Sequence, residues 1–191
     1  MIILLIRFSF SNERARQQNW RFTGTLIQDI PSEVYDLKTA EEVLALPGHM
    51  QHRNYERYFA MDDELSYGFF HPVKAKKGYM LVILGDSVVQ PVVESSHHQA
   101  ADDIGKGFEI TATSVDGRIA EAIEHKDYPG VLGVQFHPER TYLYDPDRKL
   151  RFEPGDDQGI NFLETYPGEK GEDFHRNFWK YISKMLNENE E

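Results

Sequence analysis

The sequence predicts an α/β fold whose sheet is not purely parallel. Three observations carry this expectation. Short apolar runs at 79–84 and 131–136 read as buried strands. Asp116-Gly117, a dipeptide that supplies positive φ in a tight turn, stands between two strand-like stretches at 108–115 and 118–124. Residues 172–186 alternate apolar and polar positions with a helical period.

Taken in order, residues 2–6 form a continuous apolar run and a buried-strand candidate. Thr39-Ala40-Glu41-Glu42 fits a capping box, so a short helix is expected to open there and to end at Pro47-Gly48. Residues 47–70 support no assignment. The run Tyr-Met-Leu-Val-Ile-Leu at 79–84 is expected to be a strand stopped by Gly85-Asp86. The Asp116-Gly117 hairpin follows, with Ala120 as a surplus residue that predicts a β-bulge. Residues 131–136 form the next strand. Within 140–170, stretches 142–144 and 150–152 around Asp145-Pro146-Asp147 suggest a second hairpin. The last helix presents Phe174, Phe178, Tyr181, Ile182 and Met185 on one face. Its acids come early and Lys180 and Lys184 late, which suits the helix dipole.

Composition narrows the function classes. The chain has 191 residues, 40% hydrophobic and 28% charged, enough for one core-forming domain. Its formal charge is −11, which argues against a partner that is a phosphate backbone. No apolar run approaches the ~20 residues of a membrane-spanning helix. The opening apolar run is too short for a signal peptide and has no basic residue before it, so no membrane association and a cytoplasmic location are expected. There is no cysteine, which removes disulfides, thiolate metal sites and a cysteine nucleophile from this chain.

Residues 1–22 differ from the rest. They hold four arginines against the single acid Glu13, and the first glycine is Gly24. The expected organisation is therefore an atypical segment at 1–22 and one domain at 23–191 with an extension at 140–170.

The strongest chemical signal is Gly133-Val134-Gln135-Phe136-His137-Pro138-Glu139. A buried strand ending at a proline delivers His137 and Glu139 to a sheet edge, where open α/β sheets place ligands. A carboxylate on one imidazole nitrogen fixes the tautomer and frees the other nitrogen as an acid or base. Ser95-Ser96-His97-His98-Gln99 offers donors and acceptors for a polar ligand. A zinc centre made of His97, His98, His137 and Glu139 is disfavoured, because adjacent histidines in an extended segment point to opposite faces. No metal ligand and no cofactor are assigned.

Six ordered blocks together resemble the class I glutamine amidotransferase-like superfamily. They are Gly24-Thr25-Leu26-Ile27-Gln28-Asp29-Ile30, His71-Pro72-Val73, the His-His-Gln block, Thr111-Ala112 through Asp116-Gly117, Glu121-Ala122-Ile123-Glu124, and the His137-Pro138-Glu139 strand. The Gly-Thr-Leu and His-His-Gln blocks are similar to those of the γ-glutamyl-γ-aminobutyrate hydrolase type of γ-glutamyl peptidase. The resemblance implies a three-layer αβα sandwich with a mixed, mostly parallel, flavodoxin-like sheet, here without the first βα units. It also implies cleavage of γ-glutamyl amides by a Cys–His–Glu triad. His137 matches the base and Glu139 its orienting carboxylate; His97, His98 and Gln99 match pocket-lining positions. The ligand is then a small γ-glutamyl compound.

The start departs from that pattern. Counting back from Asn19 puts the nucleophile at Asn12; counting forward from the first strand puts it near Arg7, and neither residue attacks carbonyls. Ser9 and Ser11 are poor substitutes, since a nucleophile elbow needs glycine or small neighbours and residues 1–23 hold no glycine. Two explanations stand open: a wrong reading frame or start over residues 1–22, or a catalytically silent paralogue that binds γ-glutamyl or amino-acid ligands. Little or no hydrolysis is expected, because a lost nucleophile costs on the order of 10⁶ in turnover. A sheet without its first strands is also expected to leave edges unpaired.

Overall fold

The computed structural model describes residues 24–187 and the backbone of the short strand at residues 5–7. The reading of residues 1–22 as an atypical segment otherwise lies outside the described residues.

Eight strands are described. β1 (Leu5–Arg7), β8 (Leu132–Val134), β7 (Ala120–His125), β6 (Phe108–Ser114), β3 (Phe69–Ala75) and β4 (Val92–Ser95) make one six-stranded sheet in that order. β2 (Leu26–Ile27) and β5 (Ala100–Ala101) make a separate antiparallel ribbon. The α/β class holds, but the expectation of a mostly parallel sheet is corrected. Only β1 and β8 run parallel, and every other described pair is antiparallel. The reason is connection length. β6 reaches β7 through a tight turn and β7 reaches β8 across residues 126–131, and links that short join only antiparallel neighbours.

The hairpin turn follows its sequence signal. Gly117 has φ of +80°, its N–H donates to the Ser114 carbonyl at 2.9 Å, and Asp116 accepts from the Ser114 hydroxyl at 2.5 Å. The ladder beyond it carries two compensating irregularities. Between Ile110 and Ala112 the surplus residue is Thr111; between Ala112 and Thr113 the partner moves from Ala122 to Ala120, leaving Glu121 unmatched. The surplus near Ala120 is thus a bulge centred on Glu121, and a bulge re-aims the side chain it carries.

Helices cover one face of the sheet. α4 (Gly78–Leu84) and α6 (Glu172–Asn187) pack Met80, Ile83, Phe174, Phe178 and Ile182 against Val73, Val93, Ala112, Ala122, Val134 and Phe136. The other face carries Phe108 and Ile123, covered by Leu26 of the ribbon, while Ile30 and Val34 close over Ala100 and Ile119. α1 (Ile30–Glu33) starts there, capped by the Asp29 carboxylate.

Residues 79–84 are helical, which corrects the strand expectation. Tyr79, Met80 and Ile83 are buried while Leu81 and Val82 face out, a spacing that fits a helix and not an alternating strand. Gly78 opens α4 at φ of +61°; a Cβ there would sit 2.3 Å from the Glu124 carboxylate, which instead accepts the Tyr79 N–H at 3.0 Å. α2 (Ala40–Leu44) has the expected capping box, with Thr39 Oγ1 accepting from Glu42 N–H and the Glu42 carboxylate accepting from Thr39 N–H. α6 buries the expected face and adds His175.

The unassigned stretch contains a 3-10 turn (Gly48–Met50) and α3 (Tyr55–Ala60), capped by Asn54. The extension is not the expected hairpin of 142–144 with 150–152. Residues Thr141–Leu143 form a 3-10 turn, Leu150 bridges Ile160, and α5 (Phe162–Thr165) follows. Buried Asn161 holds the loop: its amide donates to the carbonyls of Asp145, Pro146 and Arg148 at 2.9–3.0 Å. Phe70, Leu143, Leu150, Phe152 and Phe162 give this region its own apolar cluster. No described helix is long and apolar enough to cross a membrane.

Candidate active site

β8 stops at Val134, two residues short of the expected end at residue 136. Phe136 is clamped between Phe174 and Phe178 of α6, and the His137 N–H donates to the Glu94 carbonyl at 2.8 Å. Pro138 has no N–H to donate. Its carbonyl instead accepts from the Tyr144 hydroxyl at 2.6 Å and the Trp179 indole at 3.1 Å. The loop that carries the histidine is therefore tied to both the extension and the last helix.

His137 and Glu139 meet there. Nδ1 of the buried imidazole lies 3.0 Å from Glu139 Oε1, and the carboxylate itself is partly exposed. The carboxylate can only accept, so Nδ1 carries the proton and Nε2 the lone pair. That lone pair faces the Ser96 hydroxyl at 2.8 Å. Ser96, His137 and Glu139 thus form one hydroxyl–imidazole–carboxylate chain. In the same corner the Glu94 side chain is buried, and burial pushes its carboxyl above the usual range. Arg140 Nε stands 3.7 Å from it, within ion-pairing reach but not hydrogen-bonded.

The three remaining sequence-predicted residues take separate positions. His98 is exposed, with Nδ1 at 3.5 Å from Asp29. Gln99 is buried and donates to the Gln28 side chain at 3.0 Å, so the β2–β5 ribbon joins the Gly-Thr-Leu and His-His-Gln blocks. His97 turns to the opposite side from His98, as alternation requires, and is 5% exposed. None of the three contacts His137 directly in a described hydrogen bond.

His97 enters a second group, with His52, His71 and Glu121. One ligand-capable atom from each lies within 4.8 Å of the others, and all four residues are buried. His52 Nδ1 and Glu121 Oε1 are 3.0 Å apart without the alignment of a hydrogen bond. Burial pushes the His52 and His71 imidazoles down to about 4, His97 well below its ordinary value, and the Glu121 carboxyl up to about 7. Sequence reasoning named His71 and Glu121 only as parts of recognisable blocks, and His52 not at all. No local signal reveals the group, since its members come from the loop before α3, from β3, from the segment after β4 and from the β7 bulge. Ser96 sat inside a noted block but drew no role.

The domain is thus an antiparallel-rich α/β fold with a hydrogen-bonded His–x–Glu pair just beyond a buried strand. The model of the Peptidase C26 family matches residues 17–139, and the chain belongs to that family. It is 39% identical over 75 residues to a glutamine amidotransferase-like protein of Rickettsia prowazekii, covering 39% of this chain and 26% of that protein. It is 44% identical over 62 residues to a glutamine amidotransferase-like protein of Lactococcus lactis, covering 32% of this chain and 25% of that one. A CTP synthase of Syntrophus aciditrophicus is 58% identical over 33 residues, 17% of this chain and 6% of the synthase. The matched part spans about a quarter of the length of the first two relatives.

Proposed function

We propose that this chain recognises γ-glutamyl amides with the base half of a γ-glutamyl hydrolase site and turns them over slowly or not at all. The observation that carries the reading is the oriented imidazole: His137 Nδ1 held by Glu139 at 3.0 Å, with Nε2 presented to a hydroxyl instead of a thiol. No cysteine exists in the chain to complete the triad its family resemblance implies. A cleft of about 350 Å³ is lined by Arg140, Tyr142 and Arg148 together with Asp63 and Glu64, and it meets the site segment through Arg140, the residue after Glu139.

A second reading is favoured by one distance. Ser96 Oγ is placed to give its proton to His137 Nε2 as it attacks a carbonyl, while Glu139 steadies the resulting imidazolium. Against it, Ser96 follows a strand end without the strained strand-to-helix elbow that exposes such nucleophiles.

Calorimetric titration with γ-glutamyl-γ-aminobutyrate and an amine-release assay on γ-glutamyl-p-nitroanilide separate the two. Saturable binding with no release supports recognition. A stoichiometric burst of amine that vanishes in Ser96→Ala supports the serine nucleophile. Neither binding nor release in the folded protein overturns both.

A further inference from the structure

We propose that His52, His71, His97 and Glu121 form a buried binding site for one divalent transition-metal ion of the zinc type, which braces the sheet from inside. The argument starts from unmet polar atoms. Both nitrogens of His52, Nε2 of His97 and both oxygens of Glu121 are buried and have no hydrogen-bond partner. A dry carboxylate or imidazole left unpaired costs several kcal/mol in general terms, so native structures rarely keep five such atoms facing one another. One ion satisfies three of them together, one nitrogen of His52, Nε2 of His97 and one oxygen of Glu121.

The donor set fits that ion. Imidazole nitrogens and a carboxylate oxygen suit zinc and its neighbours in the first transition row. The tautomers are already arranged. His71 Nδ1–H donates to the Pro72 carbonyl at 3.2 Å, and His97 Nδ1–H donates to the Gln99 carbonyl at 2.9 Å. Each therefore turns an Nε2 lone pair toward the group, the backbone-anchored arrangement typical of metal-ligating histidine.

Two adjustments accompany binding. The Ser95 hydroxyl, which donates to His71 Nε2 at 2.8 Å, rotates away. The donor atoms, spread over as much as 4.8 Å, close toward the roughly 3.3 Å that a tetrahedral ion with bonds of about 2.0–2.1 Å requires. Both are side-chain motions. With four protein ligands and almost no solvent access, the site is closed, which marks it as structural and not as a place where water is activated. It cross-links β3, the Glu121 bulge of β7, the segment after β4 and the loop before α3. It also adjoins Ser96, so it sets the strand end that faces His137. This centre is independent of the γ-glutamyl reading, because its test does not depend on turnover.

The test is metal content and spectroscopy on the full chain. Protein purified without chelator is analysed for transition metals, then stripped and titrated with zinc or cobalt(II) alone. The expected result is about one equivalent bound, an intense visible band of four-coordinate cobalt, and a raised Tm with zinc. His97→Gln and Glu121→Gln are expected to lower metal content about tenfold or more, in line with loss of a ligand, whereas exposed His98→Ala keeps it. Should the cluster variants fail to fold, X-ray absorption on the wild-type zinc protein counts the imidazoles. Three support the site; one or two overturn it. Less than about a tenth of an equivalent in purified protein, with no cobalt band on titration, also overturns it.

Discussion

His175 makes a quantitative prediction about acid stability. It lies on the buried face of α6, with the rings of Phe162 and Phe174 at 5.4 and 5.5 Å and Tyr144 at 6.3 Å. The Val92 carbonyl is near enough to favour the protonated ring slightly, but neither ring nitrogen has an aligned partner. Burial therefore dominates and pushes the imidazole down to about 4 from the ordinary 6.5. In the unfolded chain the same ring takes up a proton near pH 6.5; in the folded protein it does so only near 4. The contribution is thus fully present above about pH 6.5 and is lost as pH falls toward 4. The gap of about 2.5 units corresponds to about 3 kcal/mol at the acid end. The perturbation is His175→Leu, which keeps an apolar side chain of similar size and removes the titration. Urea unfolding of both proteins at several pH values between about 7 and 4.5 reads the difference. Wild type is expected to lose about 2–3 kcal/mol more than the variant over that range. The other buried histidines cancel in this comparison, being present in both proteins. Parallel stability curves would refute the reasoning, because they would mean that His175 takes up its proton equally in both states.

Three further outcomes follow from local geometry. Gly78→Ala puts a Cβ 2.3 Å from the Glu124 carboxylate at a φ of +61°, so a loss of about 2–3 kcal/mol is expected by chemical unfolding. Asn161→Ala removes the amide that three carbonyls of the 145–148 loop share and the side chain that caps α5, at an expected cost of about 3 kcal/mol. Limited proteolysis is expected to cut that variant within 145–160 before the rest of the chain. Thr39→Ala breaks one half of the capping box of α2, and a loss of about 1 kcal/mol is expected from its thermal midpoint.

The two polar centres share a structural logic. Ser96 and His97 are consecutive, and the backbone after β4 turns one toward His137 and the other toward His52 and Glu121. The Glu94 carbonyl, two residues earlier, accepts the His137 N–H. The two centres are therefore joined by the four-residue stretch 94–97.

Elements with short-range signals were legible from the residues alone. The capping box at Thr39, the Asp116-Gly117 turn, the bulge near Ala120 and the apolar face of α6 each depend on contacts within a few residues. The 79–84 run was not legible. Six consecutive apolar residues fit a buried strand or a buried helix equally, and only packing against α6 and Glu124 selects the helix. The hairpin expected of 142–144 with 150–152 fails for a related reason: turn residues 145–148 are held by Asn161 at the far end of the loop, not by a partner strand nearby.

By itself the sequence determined which segments carry apolar faces, where chains must turn, and that His137 and Glu139 stand on either side of a proline just beyond a buried strand. These properties are written in spacing and in backbone preference, which act locally. Tertiary structure alone decided which strands lie side by side, the hydroxyl placed on His137, and the gathering of His52, His71, His97 and Glu121. The physical reason is that periodicity tells a side chain which face to take but not what will stand opposite. For that cluster the partners lie in four segments spread between residues 52 and 121, and only the closed sheet brings them within 4.8 Å.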